Sequence, residues 1–189
     1  MAKIVLASGS PRRQELLRRI GVTEFDIRVP DTEETYPAGL SPQETVAYIS
    51  REKSDAAAAL CTPEELIITA DTMVFLDDAR LGKPADEADA LRMLTALQGR
   101  SHTVCTGVTV RRGSEILTES ETTRVYFRPA DQAELLSYIA TGEPMDKAGA
   151  YGVQGFFARY IKGLKGSYAN VMGLPVSRLY QELKELNGI

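Results

Sequence analysis

Strand-type apolar runs alternating with capped amphipathic helices predict an α/β fold, a mixed twisted sheet with flanking helices. Three observations carry this. Apolar β-type runs stand at residues 3–6 and 66–76, and two longer β-branched stretches at 103–111 and 116–127 are joined by Arg112-Gly113-Ser114-Glu115, the pattern of a hairpin. Helix starts are written out between them, at Ser10-Pro11, Ser41-Pro42-Gln43-Glu44 and Asp86. No internal repeat, low-complexity tract or linker interrupts the 189 residues, so 1–189 reads as one domain, built as two lobes around a cleft.

The opening run breaks at Ser8-Gly9-Ser10-Pro11 into a helix with Arg12 and Arg13 in its first turn. Ser10 suits the N-cap and Pro11 the first helical position, where a missing N–H costs nothing. Leu16, Leu17 and Ile20 form the apolar face, and Gly21 ends the helix. Two arginines at the positive end of a helix dipole are unfavourable by about 0.3–1 kcal/mol each. A phosphate group would reverse that sign, held by backbone N–H groups and by bidentate guanidinium contacts. Two solvated surface arginines are the plain alternative.

A short strand is expected at 26–29, then the acidic loop Pro30-Asp31-Thr32-Glu33-Glu34-Thr35. The capping box at Ser41 starts a helix to about Leu60. Val46, Ile49, Lys53 and Leu60 fall near one face, so Lys53 interrupts an apolar stripe, or else snorkels to its edge. In the run 66–76, Ala70-Asp71-Thr72 interrupts apolar residues. An ionised carboxylate inside such a strand is costly unless a cation pairs with it, which makes Asp71 a candidate functional group rather than a strand-end aspartate facing solvent. A turn at Asp77-Asp78-Ala79 and the segment Leu81-Gly82-Lys83-Pro84 follow.

Asp86 caps a helix over 87–98 with Leu91, Leu94 and Leu97 inward and Gly99 as its stop. After the hairpin, residues 131–140 read as a helix. Residues 142–155 have the glycine spacing of a loop whose backbone must approach something closely, and they offer Asp146, Lys147 and Gln154. Residues 156–161 read as a strand, and Leu174-Pro175 introduces a final helix with Val176, Leu179, Leu183 and Leu186 inward.

Composition narrows the chemistry. No apolar run approaches the roughly 18 residues that span a bilayer, and the N-terminus lacks a secretory pattern, so a cytoplasmic protein with no membrane partner is expected. A net charge of −4 argues against nucleic acid as a partner. Cys61 and Cys105 fit reduced, buried thiols. With His102 as the single histidine, multi-histidine metal sites are excluded and any serine–histidine triad would hang on it, so acid–base or metal chemistry falls to carboxylates. The common glycine-rich nucleotide signatures are absent.

Taken together, Ser8-Gly9-Ser10-Pro11-Arg12-Arg13, Glu34, Lys53, Ala70-Asp71-Thr72, Gly82-Lys83-Pro84, Gly99-Arg100-Ser101-His102, the run from Asp146 to Gly155, Gly166-Ser167-Tyr168 and Gly173-Leu174-Pro175 resemble the Maf family of nucleoside triphosphate pyrophosphatases. The match runs nearly end to end. It implies a fold like that of the inosine triphosphate pyrophosphatases, hydrolysis of a nucleoside triphosphate to the monophosphate and pyrophosphate, a homodimer, and a divalent cation such as Mg2+ or Mn2+ as cofactor. The family name also ties it to inhibition of septum formation and to cell division arrest. Arg13, Thr72 and Gln154 look like the branch that acts on dTTP and UTP, whereas the 7-methyl-GTP branch typically carries Ser-Asp-Gln where this chain has Ala70-Asp71-Thr72. A broad house-cleaning enzyme for modified nucleotides and a non-catalytic interaction protein are the competing readings.

The resemblance assigns Asp71 as proton acceptor, and the sequence leaves open whether it also holds metal. Glu34 and Asp71 can supply metal oxygens. Arg12, Arg13, Lys53 and Lys83 can neutralise the triphosphate, with the backbone from Ser8 to Ser10 as N–H donors and Lys147 as a further phosphate contact. Gln154 has the donor and acceptor that a uracil or thymine edge needs.

Overall fold

The computed structural model describes residues 2–189. Strand β1 (Ile4–Leu6) is buried along its length, as an inner parallel strand must be, and leads into helix α1 (Pro11–Arg19). Ser10 Oγ accepts from Arg13 N at 3.5 Å, with Pro11 in the first turn. After the short strand β2 (Asp26–Ile27), helix α2 (Pro42–Ala58) opens with a complete capping box: Glu44 N donates to Ser41 Oγ at 3.2 Å, and Ser41 N to Glu44 Oε2 at 2.8 Å. Strand β3 (Leu66–Leu76) follows, then β4 (Ala79–Leu81), α3 (Glu87–Leu97) capped by Asp86, and the hairpin of β5 (Ser101–Arg112) and β6 (Glu115–Phe127). Helix α4 (Gln132–Ile139), capped by Asp131, gives way to three 3-10 turns. Strand β7 (Ile161–Lys165) and helices α5 (Tyr168–Met172) and α6 (Val176–Glu185) complete the order.

The seven strands among the described residues join one sheet of order β2-β1-β3-β5-β6-β7, with β4 paired to β3. β1 runs parallel to β2 and to β3, while β4 is antiparallel to β3 and β7 to β6. The sheet is therefore mixed, as the strand pattern predicts.

The chain divides into two compact units. The first runs to Asp71 and adds Thr106–Glu121 and Gly173–Ile189. Its interior takes Leu17 of α1, Val46 and Ile49 of α2, Ile68 of β3 and Leu179 and Leu183 of α6, each nearly or fully buried. There α2 crosses β5 so closely that a Cβ on Gly107 would lie 2.2 Å from Val46 O, which only glycine allows. The second unit comprises Thr72–Cys105 and Thr122–Met172. Its core joins Leu94 and Leu97 of α3 to Leu135 and Tyr138 of α4 and to Phe127 and Phe157, whose ring centroids are 4.8 Å apart.

Several expectations are corrected. Residues 156–161 are not a strand. Phe156–Tyr160 is a 3-10 turn, and ladder pairing begins only at Ile161, beside a register shift at Tyr126/Phe127. Three residues per turn bring Phe157 and Tyr160 to the same side, into the aromatic core, which a strand could not do. Leu60 does not face inward: α2 ends at Ala58, and Leu60 is 48% exposed. The strand expected at 26–29 shortens to Asp26–Ile27, and Ala79 begins a strand rather than closing a turn. Of the two thiols, Cys105 is buried and Cys61 only partly so.

Candidate active site

β3 carries Asp71 in its middle with its side chain inward, and α2 carries Lys53 opposite it. Lys53 Nζ donates to Asp71 Oδ1 at 2.8 Å and to Glu34 Oε1 at 2.7 Å. Asp71 and Lys53 are both largely buried, whereas Glu34 reaches in from the exposed acidic loop. Asp71 is thus neither a solvent-facing strand end nor an isolated buried charge, and Lys53 does not snorkel away from its apolar stripe. Burial pushes the Asp71 carboxyl above its ordinary value, with the Lys53 charge pulling the other way. Asp71 Oδ2 is buried and has no hydrogen-bond partner among the described residues.

The start of α1 belongs to the same unit. Ser8 is buried at the end of the β1 run, and its Oγ accepts from Ser10 N at 3.3 Å and from Arg13 Nη1 at 3.2 Å. Arg13 Nε donates to Gly173 O at 2.7 Å, a contact across 160 residues that local sequence does not signal. Burial lowers the Arg13 pKa, and the charges of Asp71 and Glu34 raise it against Arg12. An arginine stays protonated under such a balance. Ser8, Arg12, Arg13, Glu34, Lys53 and Asp71 therefore form one polar group with cationic and anionic members within electrostatic reach.

The other predicted site residues fall in the second unit. Thr72 follows Asp71 directly and is half-buried, whereas Lys83 and Gln154 are exposed. Gly149 N donates to Gly82 O at 3.0 Å, which ties the segment of Lys83 to that of Lys147. Lys147 Nζ donates to Glu143 O at 2.6 Å and to Asp146 Oδ1 at 2.9 Å. The close approach expected of this glycine-spaced loop is met from within the unit. A Cβ on Gly155 would lie 2.0 Å from Glu143 Oε1, and Phe156 N donates to Glu143 Oε2 at 3.2 Å. Tyr138 Oη donates to Glu143 at 3.1 Å and accepts from Gly152 N at 3.2 Å. Sequence reasoning missed Glu143 and Tyr138, although the spacing of Gly152 and Gly155 pointed to a close neighbour.

His102 builds no triad. It is buried in the second unit with Nε2 2.6 Å from Tyr151 Oη, and burial drives its pKa down to about 3, so it is a neutral core group.

Among the described residues no group of three or more His, Cys, Asp and Glu side chains is placed to hold a metal. Asp71 and Glu34 still fit a hard cation. Both carboxylates meet the Lys53 ammonium, and the Asp71 oxygen that Lys53 leaves over is buried without a hydrogen-bond partner among the described residues; magnesium is commonly held by one or two carboxylates plus water and substrate phosphates. No helix among the described residues is long and apolar enough to cross a membrane.

The family model described as Maf-like protein matches residues 3–186. A dTTP/UTP pyrophosphatase of Pelotomaculum thermopropionicum is 49% identical over 187 residues, covering 98% of this chain and 97% of that one. A dTTP/UTP pyrophosphatase of Phocaeicola vulgatus is 47% identical over 188 residues, covering 97% and 96%. Among solved structures, the Ham1 protein of Staphylococcus aureus superposes with a TM-score of 0.47 at 18% identity, covering 84% of this chain and 79% of that one. With a family match from residue 3 to residue 186 and relatives close to half identical along their whole length, the chain belongs to the Maf family.

Proposed function

We propose that this protein hydrolyses dTTP and UTP to the nucleoside monophosphate and pyrophosphate. Its relatives of 47–49% identity bear the name dTTP/UTP pyrophosphatase, and the observation that carries the reading to this chain is the buried Asp71, paired to Lys53 with one oxygen left over. A carboxyl raised by burial and restrained by an ammonium has the character of a general base. It takes a proton from the water whose oxygen bonds the first phosphorus. The bridging P–O bond then breaks, and its electron pair leaves on pyrophosphate.

The remaining residues answer the charge of that reaction. Arg12, Arg13 and Lys53 supply cations for the triphosphate, with the backbone from Ser8 to Ser10 as donors. Asp71 and Glu34 would hold Mg2+ or Mn2+, which when bound neutralises phosphate charge and acidifies water. Arg13, Thr72 and Gln154 read the base. A panel of nucleoside triphosphates assayed with magnesium and with manganese, scored for pyrophosphate against orthophosphate, tests the reading. Pyrophosphate released fastest from dTTP and UTP is expected; orthophosphate as first product would overturn it.

A further inference from the structure

We propose that Thr69, acting through Ser50 and Thr109, is the positioning residue that sets Lys53 against Asp71; the proposal rests on the functional reading of that pair. Thr69 precedes Asp71 by two residues on β3, so both side chains leave the same face of the strand. Ser50 precedes Lys53 by three residues on α2, one turn back along the same side. Thr69 Oγ1 donates to Ser50 O at 2.7 Å, and Lys53 Nζ to Asp71 Oδ1 at 2.8 Å. These are two successive rungs between one strand and one helix, the first wholly buried, the second charged.

Hydroxyls extend outward from the first rung. Ser50 Oγ lies 3.1 Å from Ala47 O and 2.7 Å from Thr109 Oγ1, and Thr109 Oγ1 lies 3.0 Å from Thr118 Oγ1. These contacts link β6 through β5 to α2. Thr69, Ser50 and Thr109 have no exposed surface, so no water competes for these bonds.

A second contact restricts the same helix. Two residues before Thr109, Gly107 lets the backbone of Val46 press onto β5. Val46, Ser50 and Lys53 stand at i, i+4 and i+7 of α2, one stripe that meets the sheet by close approach, by hydroxyls and by charge. A helix held at three levels cannot slide or roll without moving the Lys53 ammonium. Packing alone would need no proton donor at position 69, where valine has nearly the same shape.

The test compares Thr69→Val, Thr69→Ser and Ser50→Ala with the wild type by steady-state pyrophosphate release from UTP, thermal melting and a crystal structure of Thr69→Val. Thr69→Val should fold, lower kcat by about 10–100-fold with little change in KM, and lengthen the distance from Lys53 Nζ to Asp71 Oδ1. Thr69→Ser, which restores the donor, should recover most of kcat. Ser50→Ala keeps the carbonyl acceptor but cuts the hydroxyl chain, so it should give a smaller loss, and it carries the test if Thr69→Val does not fold. Wild-type kcat and an unchanged Lys53–Asp71 distance in Thr69→Val, or no recovery in Thr69→Ser, would overturn the proposal. Should Asp71→Asn prove as active as the wild type, the functional reading fails instead, and the crystallographic distance still decides whether Thr69 positions the pair.

Discussion

Lys53 Nζ stands 2.8 Å from Asp71 Oδ1 and 2.7 Å from Glu34 Oε1, so a single ammonium joins a buried strand carboxylate to a carboxylate on an exposed loop. The two halves of this arrangement differ in weight. An exposed partner such as Glu34 contributes little to stability, whereas a carboxylate buried in the sheet, as at Asp71, is costly without a paired cation. The pair therefore sets an ammonium against the upward push of burial on the Asp71 carboxyl, and ties the acidic loop to the same point.

Asp71→Asn keeps the size of the side chain and an acceptor for Lys53 but removes the base. Turnover of UTP should fall by about 10²–10⁴-fold, the usual worth of a general base, while substrate affinity changes little. Steady-state pyrophosphate release read beside calorimetric binding of UTP separates the two. Wild-type turnover in this variant would remove Asp71 from the reaction.

Arg13→Lys examines geometry rather than charge. The guanidinium reaches Gly173 O with Nε and Ser8 Oγ with Nη1 at once, and a lysine, with one point of donation, cannot keep both. If Arg13 helps to select the base, the ratio of kcat/KM for UTP over CTP and GTP should shrink in Arg13→Lys nearly as far as in Arg13→Ala. An equal loss for every triphosphate would make it a phosphate clamp only.

Much of this was legible in the sequence where local chemistry decides. The capping box at Ser41, the Asp86 cap and the costly carboxylate at Asp71 are statements about neighbours a few residues away, and the structure agrees with them. Lys53 could be flagged as out of place in an apolar stripe, but its partners lie 18 and 19 residues off along the chain. The segment Phe156–Tyr160 misleads because a short apolar run suits a strand and a tight helix equally, and the choice is made by the rings of Phe127 and Tyr138 waiting on one side. The Arg13–Gly173 contact has no local signature at all.

Gly107→Ala should not be tolerated as a small change. Its Cβ would meet Val46 O at 2.2 Å and Ala47 N at 2.7 Å, backbone atoms of α2 that cannot rotate away. The helix must shift, at a cost of about 1–3 kcal/mol for overpacking, which lowers the melting temperature by roughly 2–4 °C per kcal/mol in a chain of this size. Because the shift carries Lys53 with it, kcat should fall further than the stability loss explains. Melting curves and UTP turnover at a temperature where the variant is fully folded check both effects, and normal turnover there would uncouple α2 from the site.

Glu182 supplies a pH dependence of opposite origin to that of paired carboxylates. It lies buried on α6 with neither Oε atom hydrogen-bonded among the described residues, while Arg178 is engaged by Glu121 at 2.5 Å and Glu119 at 3.5 Å. Burial first, then the charges of Glu119 and Glu185, push its pKa up to about 8 against the pull of Arg178. The folded protein thus keeps a proton that the unfolded chain has released. Its stabilising contribution is complete below the ordinary glutamate value near 4.5 and is lost as pH rises through about 8. Glu182→Gln cannot ionise, so its melting temperature should lie close to the wild type at about pH 5 and above it at about pH 9. Thermal melts of both proteins across that range are the measurement; parallel curves would show that Glu182 is not the group that titrates.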